Sequence, residues 1–79
     1  ASHYGKYNIR VNCVSPGGIS DIKNKSQNVK LIRNYSDKSP LGRMAKVDEI
    51  AAPILFLASN KSSYITGINL LVDGGWTCI

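Results

Sequence analysis

The sequence predicts an α/β protein whose two strands lie at the edge of a larger, doubly wound parallel sheet. Two apolar runs, residues 9–14 and 68–72, have the composition of covered strands. Between them, residues 47–58 place apolar side chains at helical spacing, so a helix joins the strands. A strand–helix–strand crossover makes its strands parallel, and two strands cannot cover their own faces. We therefore expect further strands beside residues 9–14 and helices on both faces.

The first strand runs into a rigid turn. Cys13 lies within the strand and is predicted to be a small buried hydrophobe. Pro16 lacks an N–H and is expected to end the ladder, whereas Gly17 and Gly18 permit special backbone angles and close approaches. Ligands bind outside the carboxyl ends of strands in open parallel sheets. The turn is thus either one wall of a ligand cleft or an ordinary strand-ending turn, and these residues alone leave both readings open.

Two helices are predicted in the middle of the chain, and the amphipathic pattern of the first is weaker than that of the second. Residues 27–37 form a short amphipathic pattern, which the turn residues 39–43 interrupt. Residues 47–58 carry a broad apolar face with Asp48 and Glu49 in the first turn, where negative charge favours the helix dipole. Pro53 falls inside this helix, so we expect a kink that is tolerated because the apolar face is buried.

Composition limits the function classes. The chain has 79 residues, which allows one small domain, and a net charge of +5. A loose cluster of basic residues could bind nucleic acid, but no recognised binding motif accompanies it. A solvated surface is therefore favoured, and no nucleic-acid partner is expected. No apolar run approaches a membrane span. The two cysteines have no metal-ligand spacing and predict no metal site; they fit a reducing, cytoplasmic compartment.

The order of the motifs resembles one enzyme family. The run N-I-R-V-N-C-V-S-P-G at 8–17 is followed by P-L-G-R at 40–43, E-I-A and F-L-A-S at 49–51 and 56–59, Y-I-T-G at 64–67, and V-D-G-G at 72–75. Together they resemble the C-terminal part of the classical short-chain dehydrogenases/reductases. The P-G-G-I run and the Trp76 tail are also similar to the branch found near bacterial flagellin and surface-glycan genes.

The resemblance implies a Rossmann-type oxidoreductase that transfers a hydride between NAD or NADP and an alcohol or carbonyl substrate. It implies that the chain is the C-terminal portion of one such domain, with a substrate loop at about 20–40, a long helix at about 47–58 and a last strand at about 68–72. It also implies a homo-oligomer, a dimer or tetramer, whose interfaces use the long helix and last strand. The start at Ala1, without a methionine, agrees with the expectation of a fragment.

The resemblance assigns cofactor contacts to the first turn. Pro16, Gly17 and Gly18 match the loop beside the nicotinamide, and Ile19 matches the position whose backbone amide and carbonyl hold the carboxamide. The family usually has threonine where this chain has Asp21, and a carboxylate would be repelled by a pyrophosphate. Either Asp21 turns away and Ser20 substitutes for it, or the loop binds the cofactor differently.

The catalytic residues of the family are absent from this chain. None of the four tyrosines, Tyr4, Tyr7, Tyr35 and Tyr64, has a lysine four positions later, so the pair that transfers a proton is missing. We therefore expect no catalytic residue here, weak or no dinucleotide binding, and no turnover by these 79 residues alone. Arg43 and Asp73 are expected either to pair or to cap neighbouring backbone at the sheet edge. The alternatives are a non-catalytic oligomerisation or binding module and a small basic nucleic-acid binder.

Overall fold

The computed structural model describes residues 1–20 and 29–78 and has an α/β arrangement. Strand β1 spans Cys13–Pro16 and strand β2 spans Asn69–Val72. Helix α1 spans Val29–Lys38 and helix α2 spans Val47–Ala58, as predicted for the long helix. Single 3₁₀ turns lie at Gly5–Tyr7, Asn60–Ser62 and Trp76–Cys78. The first two residues of the weaker predicted helix, and part of the predicted substrate loop, lie outside the described residues.

The two strands pair in parallel, as predicted. Cys13 lies opposite Asn69 and Pro16 opposite Val72. The Cys13 amide donates to the Ile68 carbonyl and the Gly17 amide to the Val72 carbonyl, both at 3.0 Å. In a parallel ladder only alternate residues of a strand donate to a given neighbour. Strand β1 and its pairing end at Pro16, as predicted. Pro16 lies between two such donors, however, so its missing N–H removes no bond to β2.

The first strand begins later than predicted, because side chains replace ladder bonds before Cys13. The Val11 amide donates to Thr66 Oγ1, and the Ile68 amide donates to Asn12 Oδ1, each at 3.1 Å. Residues 9–12 therefore meet the segment before β2 through these side-chain bonds and one backbone bond, from the Gly67 amide to the Val11 carbonyl at 2.9 Å, without forming a regular ladder. The polar side chains of this stretch fix the start of the pairing.

The predicted burial was wrong for much of the apolar sequence. Ile50 is the buried hydrophobic residue within the described ranges, at 8% exposure. Leu55 on α2 is 69% exposed and Leu71 on β2 is 51% exposed, whereas both were expected to be covered. Cys13, predicted to be buried, is an exposed free thiol. Hydrophobic patterning identifies faces that suit a core, but two strands and two helices provide too few neighbours to cover them.

Helix α2 continues through Pro53, which lacks the N–H that would bond one turn back. Its start is fixed by Glu49, whose carboxylate accepts the Lys46 amide at 2.9 Å. The predicted kink at Pro53 stays a prediction. The segment before the helix, residues 43–46, lies beside the turn that follows β1, because Ala45 bonds to Gly18 and Ser20.

Candidate functional site

The candidate site is the loop of residues 16–20, at the carboxyl edge of the parallel sheet. Its backbone continues from β1, and the Gly17 amide ties it to the end of β2. The segment that follows β2, residues 73–75, lies beside it, since the Cα atom of Asp73 is 2.9 Å from the position that a Gly17 Cβ would occupy. Both strands of the sheet thus deliver a loop to the edge where α/β proteins bind ligands.

Ile19 forms an isolated parallel bridge with Ala45, the residue shortly before α2. The Ala45 amide donates to the Gly18 carbonyl, and the Ser20 amide donates to the Ala45 carbonyl, both at 2.9 Å. In such a bridge the residues on either side of Ile19 make the bonds to Ala45. The N–H and C=O of Ile19 itself are therefore directed to the opposite side of the loop.

Gly17 and Gly18 are required by a close approach rather than by their backbone angles. Neither is among the described residues with positive φ. A Cβ on Gly17 would lie 2.7 Å from the Tyr35 hydroxyl, and a Cβ on Gly18 would lie 2.9 Å from the Tyr35 ring. The close approach expected at these glycines is present, and in this structure the approaching group is a side chain of helix α1.

Tyr35 joins three parts of the site. Its hydroxyl accepts the Gly18 amide at 2.8 Å. Its ring stacks on Trp76 with centroids 4.5 Å apart and planes inclined by 3°. Both aromatic residues are half-buried. Helix α1, the loop after β1 and the segment after β2 therefore meet through one aromatic pair.

Asp73 holds the segment that carries Trp76. Its carboxylate accepts the Gly75 amide at 3.0 Å, the Thr77 hydroxyl at 2.9 Å and the Thr77 amide at 3.3 Å. The Thr77 hydroxyl bond, with the amide bonds of Gly75 and Thr77, lowers the pKa of Asp73 below its usual value. The expectation that Asp73 caps neighbouring backbone is confirmed.

Of the two alternatives for Arg43, pairing with Asp73 was wrong, because Arg43 pairs with Glu49. The other alternative, capping of neighbouring backbone, is confirmed by its bond to the Met44 carbonyl at 3.2 Å. The guanidinium donates to both Glu49 carboxylate oxygens, at 2.7 and 2.9 Å. This two-pronged hydrogen bond, supported by the Lys46 amide, lowers the pKa of Glu49 to about 2. The pair is exposed and ties the segment before α2 to the helix's first turn, which is the segment that carries Ala45.

A cavity of about 210 Å³ opens beside the loop. Its lining includes glycine and alanine residues together with the paired Arg43 and Glu49 and with Asp73. The lining residues are Gly18, Tyr35, Leu41, Arg43, Ala45, Glu49, Leu71, Val72, Asp73, Gly74 and Gly75. The cavity therefore lies between the two loops that follow the strands.

The structure brings most of the predicted cofactor residues together. Pro16, Gly17, Gly18, Ile19 and Ser20 form one continuous loop at the sheet edge. Asp21 lies outside the described residues. Sequence reasoning missed the contribution of Tyr35 and Trp76, and the adjacent Gly17 and Gly18 were the available signal, because two missing side chains leave room for an aromatic ring.

The parallel pair, the helical crossover and the loop at the carboxyl edge define part of a Rossmann-type α/β fold. The family model described as enoyl-(acyl carrier protein) reductase matches residues 1–77. The chain therefore belongs to the short-chain dehydrogenase/reductase family, and the resemblance given by its motifs is confirmed.

Individual relatives agree with this family. The chain is 52% identical over 71 residues to 3-oxoacyl-(acyl-carrier-protein) reductase FabG of Chlamydia trachomatis, with 90% of this chain and 29% of that protein covered. It is 44% identical over 73 residues to L-rhamnose 1-dehydrogenase (NAD(P)(+)) of Azotobacter vinelandii, covering 90% of this chain and 28% of that protein.

A solved structure of a short-chain dehydrogenase from Leptospira borgpetersenii, with bound NAD+, has a TM-score of 0.85 and 47% identity. It covers 98% of this chain, which spans 29% of that structure. The chain thus spans less than a third of the relatives it matches.

Proposed function

We propose that the chain is the C-terminal portion of an NAD(P)-dependent oxidoreductase domain, in which residues 16–20 form one wall of the nicotinamide site. The observation that carries the proposal is the similarity to the Leptospira dehydrogenase, whose structure contains NAD+ and covers nearly all of this chain. The substrate is a small molecule with an alcohol or carbonyl group. The nicotinamide, when bound, supplies or accepts the hydride.

The loop has the donor set that the cofactor needs. A carboxamide is planar and is read by one hydrogen-bond donor and one acceptor, which a single residue's backbone supplies. The Ile19 backbone groups point away from Ala45, and the bridge bonds of Gly18 and Ser20 fix that direction. Ile19 would hold the carboxamide, Pro16 and Gly17 would lie beside the ring, and Ser20 would provide a hydroxyl. The role of Asp21 is left open, because its negative charge would be repelled by the pyrophosphate of the cofactor.

The proton-transfer residues are proposed to lie outside these 79 residues. None of the tyrosines in the chain is followed by lysine four positions later. The chain's own contributions are therefore to orient the nicotinamide, to cover the substrate with residues of about 20–40, and to exclude water from the reacting carbon. We expect the isolated 79-residue chain to show no turnover and weak or no dinucleotide binding.

The long helix and the last strand are proposed as parts of an interface in a homo-oligomer, a dimer or tetramer. Leu55 on α2 and Leu71 on β2 are more than half exposed, which supports contacts beyond this chain's own core. The same observation favours the second candidate function, a non-catalytic oligomerisation module. Turnover by the complete encoded polypeptide would exclude that alternative.

The proposed enzyme is cytoplasmic. Cys13 and Cys78 are exposed free thiols, which suits a reducing compartment. No helix among residues 1–20 and 29–78 is long and apolar enough to cross a membrane. The choice between NAD and NADP, and the placement near flagellin and surface-glycan genes, stay predictions.

The proposal is tested by comparing two substitutions of Ile19 in the complete encoded polypeptide. Ile19→Pro removes the backbone N–H that would bind the carboxamide, whereas Ile19→Val keeps it and changes only the side chain. Calorimetric titration with NADH and NADPH should show binding by the unmodified protein, a loss of about tenfold in Ile19→Pro, and little change in Ile19→Val. Circular dichroism checks that both variants remain folded. Equal affinities for the two folded variants, or no dinucleotide binding by the unmodified protein, would refute the proposed role.

A further inference from the structure

Gly18 is held through both of the peptide groups that flank its Cα atom. Its carbonyl accepts the Ala45 amide at 2.9 Å, and its amide donates to the Tyr35 hydroxyl at 2.8 Å. Ala45 belongs to the segment before α2, whereas Tyr35 belongs to helix α1. The backbone angles of Gly18, and with them the direction of the Gly18–Ile19 peptide that carries the Ile19 N–H, therefore depend on both elements.

Tyr35 is itself held in place by an aromatic neighbour. Trp76 stacks on its ring at 4.5 Å, with the two planes nearly parallel. The Trp76 amide donates to the Asp73 carbonyl at 3.2 Å, and the Asp73 carboxylate caps the following turn. The hydroxyl thus reaches Gly18 from a ring whose plane is fixed, rather than from a freely rotating side chain.

The close packing at the loop makes this arrangement specific to glycine. The Tyr35 hydroxyl lies where a Gly17 side chain would begin, at 2.7 Å from its Cβ position. A Cβ on Gly18 would meet three Tyr35 ring atoms between 2.9 and 3.2 Å. Tyr35 therefore packs closely against both glycines, and its hydroxyl also makes a hydrogen bond with the Gly18 amide.

From these contacts we infer that Tyr35 is a positioning residue for the nicotinamide half of the cofactor. It fixes the Gly17–Gly18 peptide and so, together with the Ala45 bond, the backbone angles of Gly18, which turn the Ile19 backbone towards the carboxamide. Trp76 holds the tyrosine ring in position. The inference rests on the proposed function, because it requires a nicotinamide beside Ile19. A residue acting at this peptide affects recognition of the nicotinamide and leaves recognition of the adenosine half unchanged.

The experiment compares NADH with ADP-ribose, which is a dinucleotide fragment without the nicotinamide. Tyr35→Phe removes the hydroxyl and keeps the ring, so its effect isolates the bond to Gly18. Tyr64→Phe is the matched control, because Tyr64 is fully exposed at 102%. Trp76→Leu removes the stacking partner, and Trp76→Phe retains an aromatic ring as the conservative rescue. Affinities are measured by calorimetry on the complete encoded polypeptide.

We expect Tyr35→Phe to weaken NADH binding by about 2- to 12-fold, the range for one net hydrogen bond, with no change in ADP-ribose affinity. Trp76→Leu should show the same selective loss, and Trp76→Phe should recover most of it. Tyr64→Phe should bind both ligands normally.

Two results would overturn the inference while leaving the proposed function intact. One is unchanged NADH affinity in Tyr35→Phe, and the other is an equal loss for NADH and ADP-ribose, which would indicate a general structural role. If Tyr35→Phe proves unfolded by circular dichroism, the comparison of Trp76→Leu with Trp76→Phe decides the question by the same selectivity. Failure of the unmodified protein to bind either ligand would instead refute the proposed function on which the inference rests.

Discussion

Arg10 joins the C-terminal end of helix α2 to the segment that precedes strand β2. Replacing Arg10 should therefore lower the stability of both. The guanidinium donates to the Leu57 carbonyl at 2.9 Å, the Ser59 carbonyl at 3.1 Å and the Ile65 carbonyl at 3.1 Å. Two of these acceptors are at the C-terminal end of α2, where a cation is favoured by the helix dipole. One half-buried side chain therefore closes a connection between segments about fifty residues apart in the sequence.

The loss of stability expected in Arg10→Met depends on which hydrogen-bond donors each of the three carbonyls keeps. Ser62, which is 1% exposed, donates its hydroxyl to the Leu57 carbonyl at 2.9 Å and to the Ser59 carbonyl at 3.1 Å. Asn12 likewise donates to the Ile65 carbonyl at 3.1 Å. The single hydroxyl proton of Ser62 can stay on the Leu57 carbonyl, because the Ser59 carbonyl also accepts the Ser62 amide at 3.3 Å. Each acceptor therefore keeps a donor, and we expect only the net charge-assisted contribution to be lost, about 2–3 kcal/mol.

Ser62→Ala removes the second donor from the same two helix-end carbonyls, at a cost of about 1–2 kcal/mol while Arg10 remains. The double variant leaves the Leu57 carbonyl without either side-chain donor, whereas the Ser59 carbonyl keeps the Ser62 amide at 3.3 Å. Its cost should therefore exceed the sum of the single variants by about 1–3 kcal/mol. Ser63→Ala, at the exposed neighbouring position, is the matched control.

The assay is hydrogen exchange by mass spectrometry on the complete encoded polypeptide, followed over the peptide that spans residues 56–67. The Ile65 amide, which donates to the Ser62 carbonyl at 2.9 Å, reports opening of this connection directly. Strictly additive effects of the two substitutions, or unchanged exchange in Arg10→Met, would refute this account of the connection.

Two further predictions concern stability. Glu49 has a pKa of about 2 in the fold against an ordinary value of 4.5, so the contribution of its pair with Arg43 is complete above about pH 4.5 and is lost as the pH falls towards 2. The stability difference between the unmodified protein and Glu49→Gln, measured by urea unfolding from pH 7 to pH 3, should therefore shrink with acidity; a constant difference would contradict the pairing. Gly75 has φ of +89° and a Cβ there would lie 3.0 Å from Pro40, so Gly75→Ala should cost about 1–2 kcal/mol in thermal unfolding. Gly5→Ala, where a Cβ meets nothing within 4 Å, is the control, and equal effects at the two positions would show that Gly75 is not constrained.

The local elements of the fold could be predicted because their signals are local. The apolar spacing of residues 47–58 matches α2. The parallel pair forms where the first apolar run ends, at Cys13–Pro16, and within the second, at Asn69–Val72. The start of β1 could not be predicted, since it depends on Thr66 and Asn12 side chains that replace ladder bonds. Hydrophobic patterning also overstated burial, because it records which faces suit a core and not whether a neighbour covers them.

The candidate site divides in the same way. Its loop was predictable from Pro16 and the glycines that end an apolar run. The partners of that loop were not, because Tyr35 is 17 residues from Gly18 along the chain and no spacing rule connects them. For Arg43 the error is the opposite one, because a distant partner was predicted where a local one is found. Arg43 pairs with Glu49, six residues along the chain, and not with Asp73.

The central claim is that the loop after β1 lies beside a nicotinamide, with Ile19 reading its carboxamide through the backbone. A crystal structure of the complete encoded polypeptide grown with NAD+ tests this most directly. The account predicts the carboxamide nitrogen and oxygen within hydrogen-bond distance of the Ile19 carbonyl and amide, respectively. A nicotinamide bound away from residues 16–20, or held there by side chains alone, would contradict it.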